Sequence, residues 1–511
     1  MIGTGVSHVD AAALDAARMA LIGADQPVMA FGADLARASE PLGHLSDQQG
    51  AQVGMAQMTA SAERFRYALN DALPGIDAGA VGQLWQAVSR HPGLQLAHEV
   101  LLTRALDPLK GLLTFPPAVV YTRAELAQID ACEQGGRGQP VFPQAPSGSV
   151  TGIVKITRLC NLRCTYCHDW RTGADASMAF AVRARAMRWL LQGSRARRVN
   201  LLLHGGEPSL IGVQGLTKLL ALQARYRMAG QQVTTRMQSN GTRITPQLVE
   251  LLVRFDVAVS VSMDGPPEVH DLTRKDIKGR ASSGTVRETI RQLRRAGILN
   301  GVLIVVTPAL IDAGAARLID FLADDGIKHI GLLPMRPAAG TPASAATSLE
   351  VARFCRFMLE VEQARRERAP WIHVRELDAM FAALERLAPQ TCELQGHCVG
   401  SYFSIEPDGS ISHCDKYIGD SRYVMGSVDQ PYAEVARGAV ALALRAQAAA
   451  ASTEKQACPW WSQCKGWCPH EDYVARSGPE GAGGCCGLAP LFGGLHNMRR
   501  ESAGSGNAPG A

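Results

Sequence analysis

The sequence predicts an α/β protein whose parallel strands curl into a partial barrel, flanked by a helical N-terminal region and a small cysteine-rich C-terminal region. Three observations carry this. From about residue 148, short apolar runs alternate six times with amphipathic stretches. Three of the thirteen cysteines crowd one loop, at 160, 164 and 167. Eight more fill the last quarter of the chain.

Residues 1–147 are Ala- and Leu-rich, with helical spacing over 65–73 and 81–88, and end in turn formers around 133–140. No chemical motif stands there, and a grip on a peptide is the one function considered for the region. Strands are predicted at 150–156, 199–203, 233–237, 257–263, 302–306 and 327–333. Helices are predicted between them at 179–191, 213–227, 246–254, 285–296 and 315–324. Strands joined in succession by helices take right-handed crossovers and form a parallel sheet covered on both faces. Six such units over residues 148–347 make a TIM-like (β/α)6 partial barrel, whose ligands gather at the C-terminal strand ends. A helical linker follows at 348–389. Residues 390–490 hold most of the remaining cysteines and many turn formers, so metal is expected to contribute to their stability. The end of the chain, 491–511, reads as a disordered tail, because Ser, Gly, Ala, Asn and Pro dominate after Arg500.

Of the 511 residues 46% are hydrophobic and 19% charged, which excludes an intrinsically disordered chain. The net charge of +5 comes without any Lys/Arg run, so no nucleic-acid partner is expected. No apolar stretch is long enough for a membrane span. The N-terminus lacks the pattern of a secretory signal, so a cytoplasmic location is expected. Disulfides are rare there, and the cysteines therefore point to metal, redox or catalytic roles. Cys132 and Cys355 stand apart and read as small buried hydrophobes.

The loop Cys160-Asn161-Leu162-Arg163-Cys164-Thr165-Tyr166-Cys167 follows the first predicted strand. Three thiolates so spaced can hold three corners of a four-iron cluster and leave the fourth iron open. Zinc is the alternative, but it prefers four ligands and only His168 lies nearby.

This loop resembles the signature of the radical S-adenosylmethionine (radical SAM) superfamily. The resemblance implies a 4Fe–4S cluster on Cys160, Cys164 and Cys167, and S-adenosyl-L-methionine on the open iron. It also implies cleavage of that cofactor to a 5′-deoxyadenosyl radical. Tyr166, the aromatic before the last cysteine, belongs to the same cofactor site by resemblance. His204-Gly205-Gly206-Glu207-Pro208, at the second strand end, resembles the motif that meets the cofactor's amino group. The third and fourth strands end in Gln238-Ser239-Asn240-Gly241-Thr242 and Ser262-Met263-Asp264-Gly265-Pro266. Both resemble segments that contact ribose and methionyl parts, through Ser239, Asn240, Ser262 and Asp264. Arg274 is a candidate partner for the cofactor carboxylate.

The C-terminal cysteines resemble the SPASM extension of peptide-modifying radical enzymes, among them the anaerobic sulfatase maturases. The resemblance implies one or two auxiliary 4Fe–4S clusters. Cys392, Cys398, Cys414 and Cys468 would hold the first; Cys458, Cys464 and Cys486 would be three ligands of the second. The family pattern expects a cysteine where Lys455 stands. The second cluster would then have an open iron, or use Cys485 or a non-cysteine ligand, and zinc stays open for part of this region. Asp415 directly follows Cys414, and a Cys-Asp at this place implies a proton acceptor. Trp460, Trp461 and Trp467 are expected to pack around clusters.

The function expected is modification of a ribosomally made precursor peptide, with a lean, by family analogy alone, towards an oxidative side-chain crosslink of the cyclophane kind. The partners implied are that peptide and a reductant such as flavodoxin or ferredoxin. The alternatives are sulfatase-type oxidation of Cys or Ser to formylglycine, which Asp415 favours, and a non-catalytic metal-binding scaffold.

Overall fold

The computed structural model describes residues 121–135, 148–167, 169–228, 231–336, 348–389, 391–396, 398–417, 419–476 and 487–505. The helices expected within 1–120 lie outside these residues, as do His168, Cys485 and Cys486.

All six predicted strands form. They are β1 (Ser149–Thr157), β2 (Arg198–Gly205), β3 (Gln232–Ser239), β4 (Ala258–Ser262), β5 (Leu299–Val306) and β6 (His329–Pro334). Each pairs with the next in parallel. Val150, Val154, Val199, Val259, Val261, Ile304 and Leu332 bury fully in this sheet, as the Val- and Ile-rich runs require. Helices Phe180–Arg188, Gly212–Tyr226, Pro246–Arg254, Ser283–Arg295 and Ala315–Asp324 return the chain between strands. Helix Pro246–Arg254 starts where its sequence says it should. Thr245 accepts a hydrogen bond from the Leu248 amide at 3.2 Å, with proline in the first turn.

Several features differ from the sequence expectations. The helix expected at 179–191 is α-helical only to Arg188 and continues as a wider π turn over Trp189–Gly193. Two short helices, Pro267–Thr273 and Pro308–Ala313, were not expected, since neither is long enough to show a period. The linker contains helices Val351–Arg368 and Arg375–Leu384, but between them lies β7 (His373–Val374), which pairs with β6.

The largest difference concerns the C-terminal region. It does not build a sheet of its own. Instead β8 (Tyr402–Ile405) pairs in parallel with β1, and β9 (Ser410–Ser412) and β10 (Val424–Ser427) continue antiparallel. One ten-stranded sheet results, in the order β10-β9-β8-β1-β2-β3-β4-β5-β6-β7. Trp189 of the π turn packs edge-on against Phe403 of β8, with ring centroids 5.1 Å apart.

The tail expected to be disordered over 491–511 is corrected in its first part. Residues Ala489–Ser505 form a helix. Leu491, Phe492 and Leu495 are fully buried, and Phe492 stacks on Trp460 at 5.9 Å. The polar composition after Arg500 masked this apolar stripe. Cys355 is buried and Cys132 half-buried against the core, as small hydrophobes. Among the described residues no helix is long and apolar enough to cross a membrane.

Candidate active site

The loop after β1 carries the cysteine triad to the C-terminal end of the barrel. Each of its sulfurs meets an N–H donor. Cys160 Sγ lies 3.4 Å from the Leu162 amide and 3.7 Å from Asn240 Nδ2. Cys167 Sγ lies 3.4 Å from the Asp169 amide, and Cys164 Sγ lies 3.8 Å from Arg274 Nη1. Burial pushes the Cys160 thiol up and the Cys164 thiol to about 12, so iron must displace these protons. Among the described residues no three His, Cys, Asp or Glu side chains close on a point as a mononuclear metal site needs. The fit to a cluster rests on the donors around the sulfurs, which are what iron-bound thiolates take.

The glycines of the second strand end have a structural reason. Gly205 has φ +124°, and a Cβ there would collide with the Thr157 carbonyl oxygen. A Cβ on Gly206 would collide with the Leu159 carbonyl oxygen. Both let the end of β2 lie against the root of the triad loop, where the Gly206 amide donates to Thr157 O at 2.7 Å.

Glu207 is fully buried, and burial raises its carboxyl above the usual range. Both oxygens are taken by protein donors. Oε1 accepts from the Ser209 amide at 3.0 Å and Ser239 Oγ at 2.9 Å, and Oε2 from the Asn240 amide at 2.6 Å. In this structure Glu207 ties β2 to β3 and leaves Asn240 facing Cys160. Ser262 Oγ accepts from Gln238 Nε2 at 2.9 Å on the neighbouring strand end.

Asp264 is a second buried hub. It accepts from Tyr166 Oη at 2.6 Å, Thr273 Oγ1 at 2.9 Å and the Val305 amide at 3.1 Å, and pairs with Arg274 Nε at 3.0 Å. It thereby aims both Tyr166 and Arg274 at the triad. The Asp264 amide donates to His270 Nδ1 at 3.2 Å; burial lowers that imidazole to about 4, so it accepts as the neutral ring.

The C-terminal region supplies the other half of the site. Cys468 lies within electrostatic reach of Cys392, Cys398 and Cys414, and Cys398 within reach of Cys392. Burial pushes the Cys398 thiol to about 12, with Cys468 adding to it. Lys416 Nζ lies 3.7 Å from Cys468 Sγ and His413 Nε2 lies 3.4 Å from Cys398 Sγ. N–H donors thus face two of the four sulfurs, as iron-bound thiolates take. Of the second expected set, Cys464 is buried in the apolar core and Cys458 is half-buried, while Cys486 lies outside the described residues. Lys455 is also buried, with Nζ donating to the Gly466 carbonyl at 3.0 Å, so an ammonium stands where the resemblance expects a thiolate. Trp460 stacks on Phe492, Trp467 is buried, and Trp461 Nε1 donates to Ser452 O at 3.1 Å, which are packing roles.

Asp415 sits between the two halves, within electrostatic reach of Lys155 on β1 and His204 at the end of β2. Burial and nearby Asp169 push its carboxyl up; Lys155, His204 and Lys416 together outweigh them and hold it below the usual range. Sequence reasoning missed the partners that build this corner. Lys155 is fully buried and pairs with Asp169 at 2.9 Å. Arg158 pairs with both Asp169 and Glu406, joining the triad loop to the end of β8. His204 lies opposite Lys155 in the β1–β2 register. The one available signal was a lysine in the middle of an apolar strand.

Residues 154–322 match the model of the radical SAM superfamily. The barrel is a radical SAM domain. Over 332 residues the chain is 27% identical to a serine-type anaerobic sulfatase-maturating enzyme of Klebsiella aerogenes, spanning 64% of this chain and 81% of that protein. It is 23% identical over 323 residues to a cysteine-type anaerobic sulfatase-maturating enzyme of Clostridium perfringens, spanning 60% and 85%. A solved structure described as native anSMEcpe with bound AdoMet superposes with a TM-score of 0.61 at 21% identity, covering 69% of this chain and all of that one, and so shares the fold. The radical SAM domain and its C-terminal extension thus follow the architecture of sulfatase maturases. Enzymes with this domain use S-adenosylmethionine and a 4Fe–4S cluster.

Proposed function

We propose that this chain oxidises a side chain of a peptide or protein substrate by sulfatase-maturase-type chemistry, converting Ser or Cys to formylglycine. The observation that carries the reading is Asp415, buried within electrostatic reach of Lys155 and His204 and accepting from the Cys414 thiol at 3.5 Å. The relatives named above, of both serine and cysteine type, support it.

Cys160, Cys164 and Cys167 would hold the radical cluster; Cys392, Cys398, Cys414 and Cys468 would hold an auxiliary one. When bound, the cofactor and clusters would supply hydrogen abstraction from the substrate Cβ and a sink for the electron left behind. Asn240 and Arg274 hold the triad sulfurs by hydrogen bonds, and Tyr166 and Asp264 fix Arg274. Asp415 takes the hydroxyl or thiol proton as the carbon–heteroatom double bond forms, within the usual range of general-base catalysis; Ser gives the aldehyde directly, and the thioaldehyde from Cys is hydrolysed to it with release of sulfide. The test is anaerobic turnover with S-adenosylmethionine, dithionite and a sulfatase-derived peptide. An aldehyde at the target residue with equimolar 5′-deoxyadenosine is the expected result. Deoxyadenosine without aldehyde on either a Ser or a Cys peptide overturns it.

The crosslinking of a ribosomal precursor peptide is the second reading. Lys455 favours it, because there this chain departs from the maturase cysteine pattern. A crosslinked product from a short peptide encoded beside the gene would carry that reading instead.

A further inference from the structure

The triad loop is covered on its outer side by one short segment. The Arg163 amide donates to Lys275 O at 2.7 Å and the Thr165 amide to Thr273 O at 3.0 Å. Leu162 and Asp276 form an isolated bridge. The segment then folds back on itself, with Lys275 bridged to Ala281 and the Asp276 amide donating to Arg280 O at 3.0 Å. Asp276 Oδ1 accepts from the amides of Lys278, at 2.8 Å, and Arg280, at 2.9 Å, while Gly279 takes φ +77°. The result is a tight, rigid hairpin lying against the cluster loop.

Its outer face has an unusual composition. Leu272 is 56% exposed and Ile277 62% exposed among the described residues, the two most exposed large aliphatic side chains of the barrel. Lys275 and Lys278 are exposed beside them, and no acidic partner is recorded for either among the described residues. Arg280 is paired with Asp276 at 2.6 Å, so the two lysines carry the surplus charge. Arg274, the residue before Lys275, already touches Cys164 sulfur. A partner seated on this face is therefore separated from the triad by about one chain thickness, roughly 5 Å of backbone spacing.

We propose that this hairpin is the docking surface for an acidic one-electron carrier protein. Exposed Ile277 gives a small apolar contact, and the two exposed lysines select an acidic rim and speed encounter. One electron leaves the reduced carrier and enters the cluster on Cys160, Cys164 and Cys167; no bond is made or broken in that step. The proposal rests on the radical SAM reading, which requires one electron to enter the triad cluster before each cofactor is cleaved.

The experiment compares two reductants on the anaerobic holoenzyme, reading 5′-deoxyadenosine formation. One is flavodoxin with its reductase, the other dithionite. Lys275→Glu/Lys278→Glu should lose about tenfold or more of the flavodoxin-driven rate at low salt, in the range of electrostatic steering. Its dithionite-driven rate should match the wild type. Raising ionic strength should slow the wild type with flavodoxin and recover part of the variant's lost rate. Ile277→Ser should raise the flavodoxin concentration needed for half-maximal rate. An unchanged flavodoxin-driven rate in the double variant overturns the proposal and leaves the face to another part of this chain or a second copy. A dithionite-driven rate that falls with a raised KM for peptide also overturns it, making the face a substrate seat. Failure of the wild type to cleave the cofactor with dithionite would instead remove the radical SAM reading.

Discussion

Lys155 occupies the middle of an otherwise apolar strand, with no side-chain exposure, and ends in an ion pair with Asp169. Removing one partner of a buried pair strands the other, so Lys155→Met should destabilise the anaerobic holoenzyme by about 3 kcal/mol, the low end for such losses because Arg158 still faces Asp169. Thermal unfolding checks this, and an unchanged Tm would remove the corner from the account. Asp415→Asn should keep deoxyadenosine formation and lower product formation by about 100-fold, the lower bound for loss of a general base. Comparing the two products in one assay decides it; equal turnover would make Asp415 a turn residue. These residues differ in how they could be read. Asp415 was legible because it adjoins a cysteine in a recognisable spacing. Lys155 and Asp169 were not, because only the register of β1 against β2 and the return of the triad loop bring them together. Glu207 was found by motif, but its partners Ser209, Ser239 and Asn240 are visible only once the strand ends converge.

At the scale of elements, the junction of β2 with the triad loop tolerates no side chain. Gly205→Ala places a Cβ against the Thr157 carbonyl at a positive φ, which costs at least about 2 kcal/mol. The variant should therefore lose iron from the radical cluster, measured as a drop in iron and sulfide per chain. Retention of full iron would show that the loop yields more easily than its geometry implies. The six barrel strands were readable as short apolar runs; β1 is buried almost throughout, whereas β2, β3 and β5 alternate buried with more exposed positions. β7 has two residues and β8 four, too short for any pattern, and the partner of β8 lies some 250 positions earlier at Thr151 to Val154. Helix Ala489–Ser505 was hidden for another reason. Its fully buried large apolar residues are Leu491, Phe492 and Leu495, next to a stretch of small and polar ones.

Across the whole molecule, the last helix is a clasp between the linker and the cysteine-rich region. Phe492 packs on Trp460, and Gly494 lies against Leu359 of helix Val351–Arg368. Phe492→Ala should cost about 3–5 kcal/mol, as for other buried aromatics, seen as a lowered Tm. Iron and sulfide analysis should give at least two four-iron clusters per chain, since Cys392, Cys398, Cys414 and Cys468 are four thiols beyond the triad, with Cys468 in electrostatic reach of the other three. A count matching one cluster would leave those four cysteines without iron. The grouping of these four is what the resemblance to the SPASM extension implies. The fate of Cys458 and Cys464 was not legible, because buried Lys455 sets a cation into their surroundings.

The pairing of β8 with β1 also bears on how the chain matures in time. Synthesis runs from the N-terminus, so the strand bearing the radical loop leaves the ribosome long before residues 402–405 can flank it. Until then its free side is an open edge able to pair with a neighbouring nascent chain. Iron inserted at that stage would enter a loop whose far wall has not yet arrived. Orderly loading therefore favours late metallation, after release, when the final quarter of the polypeptide has closed over its beginning.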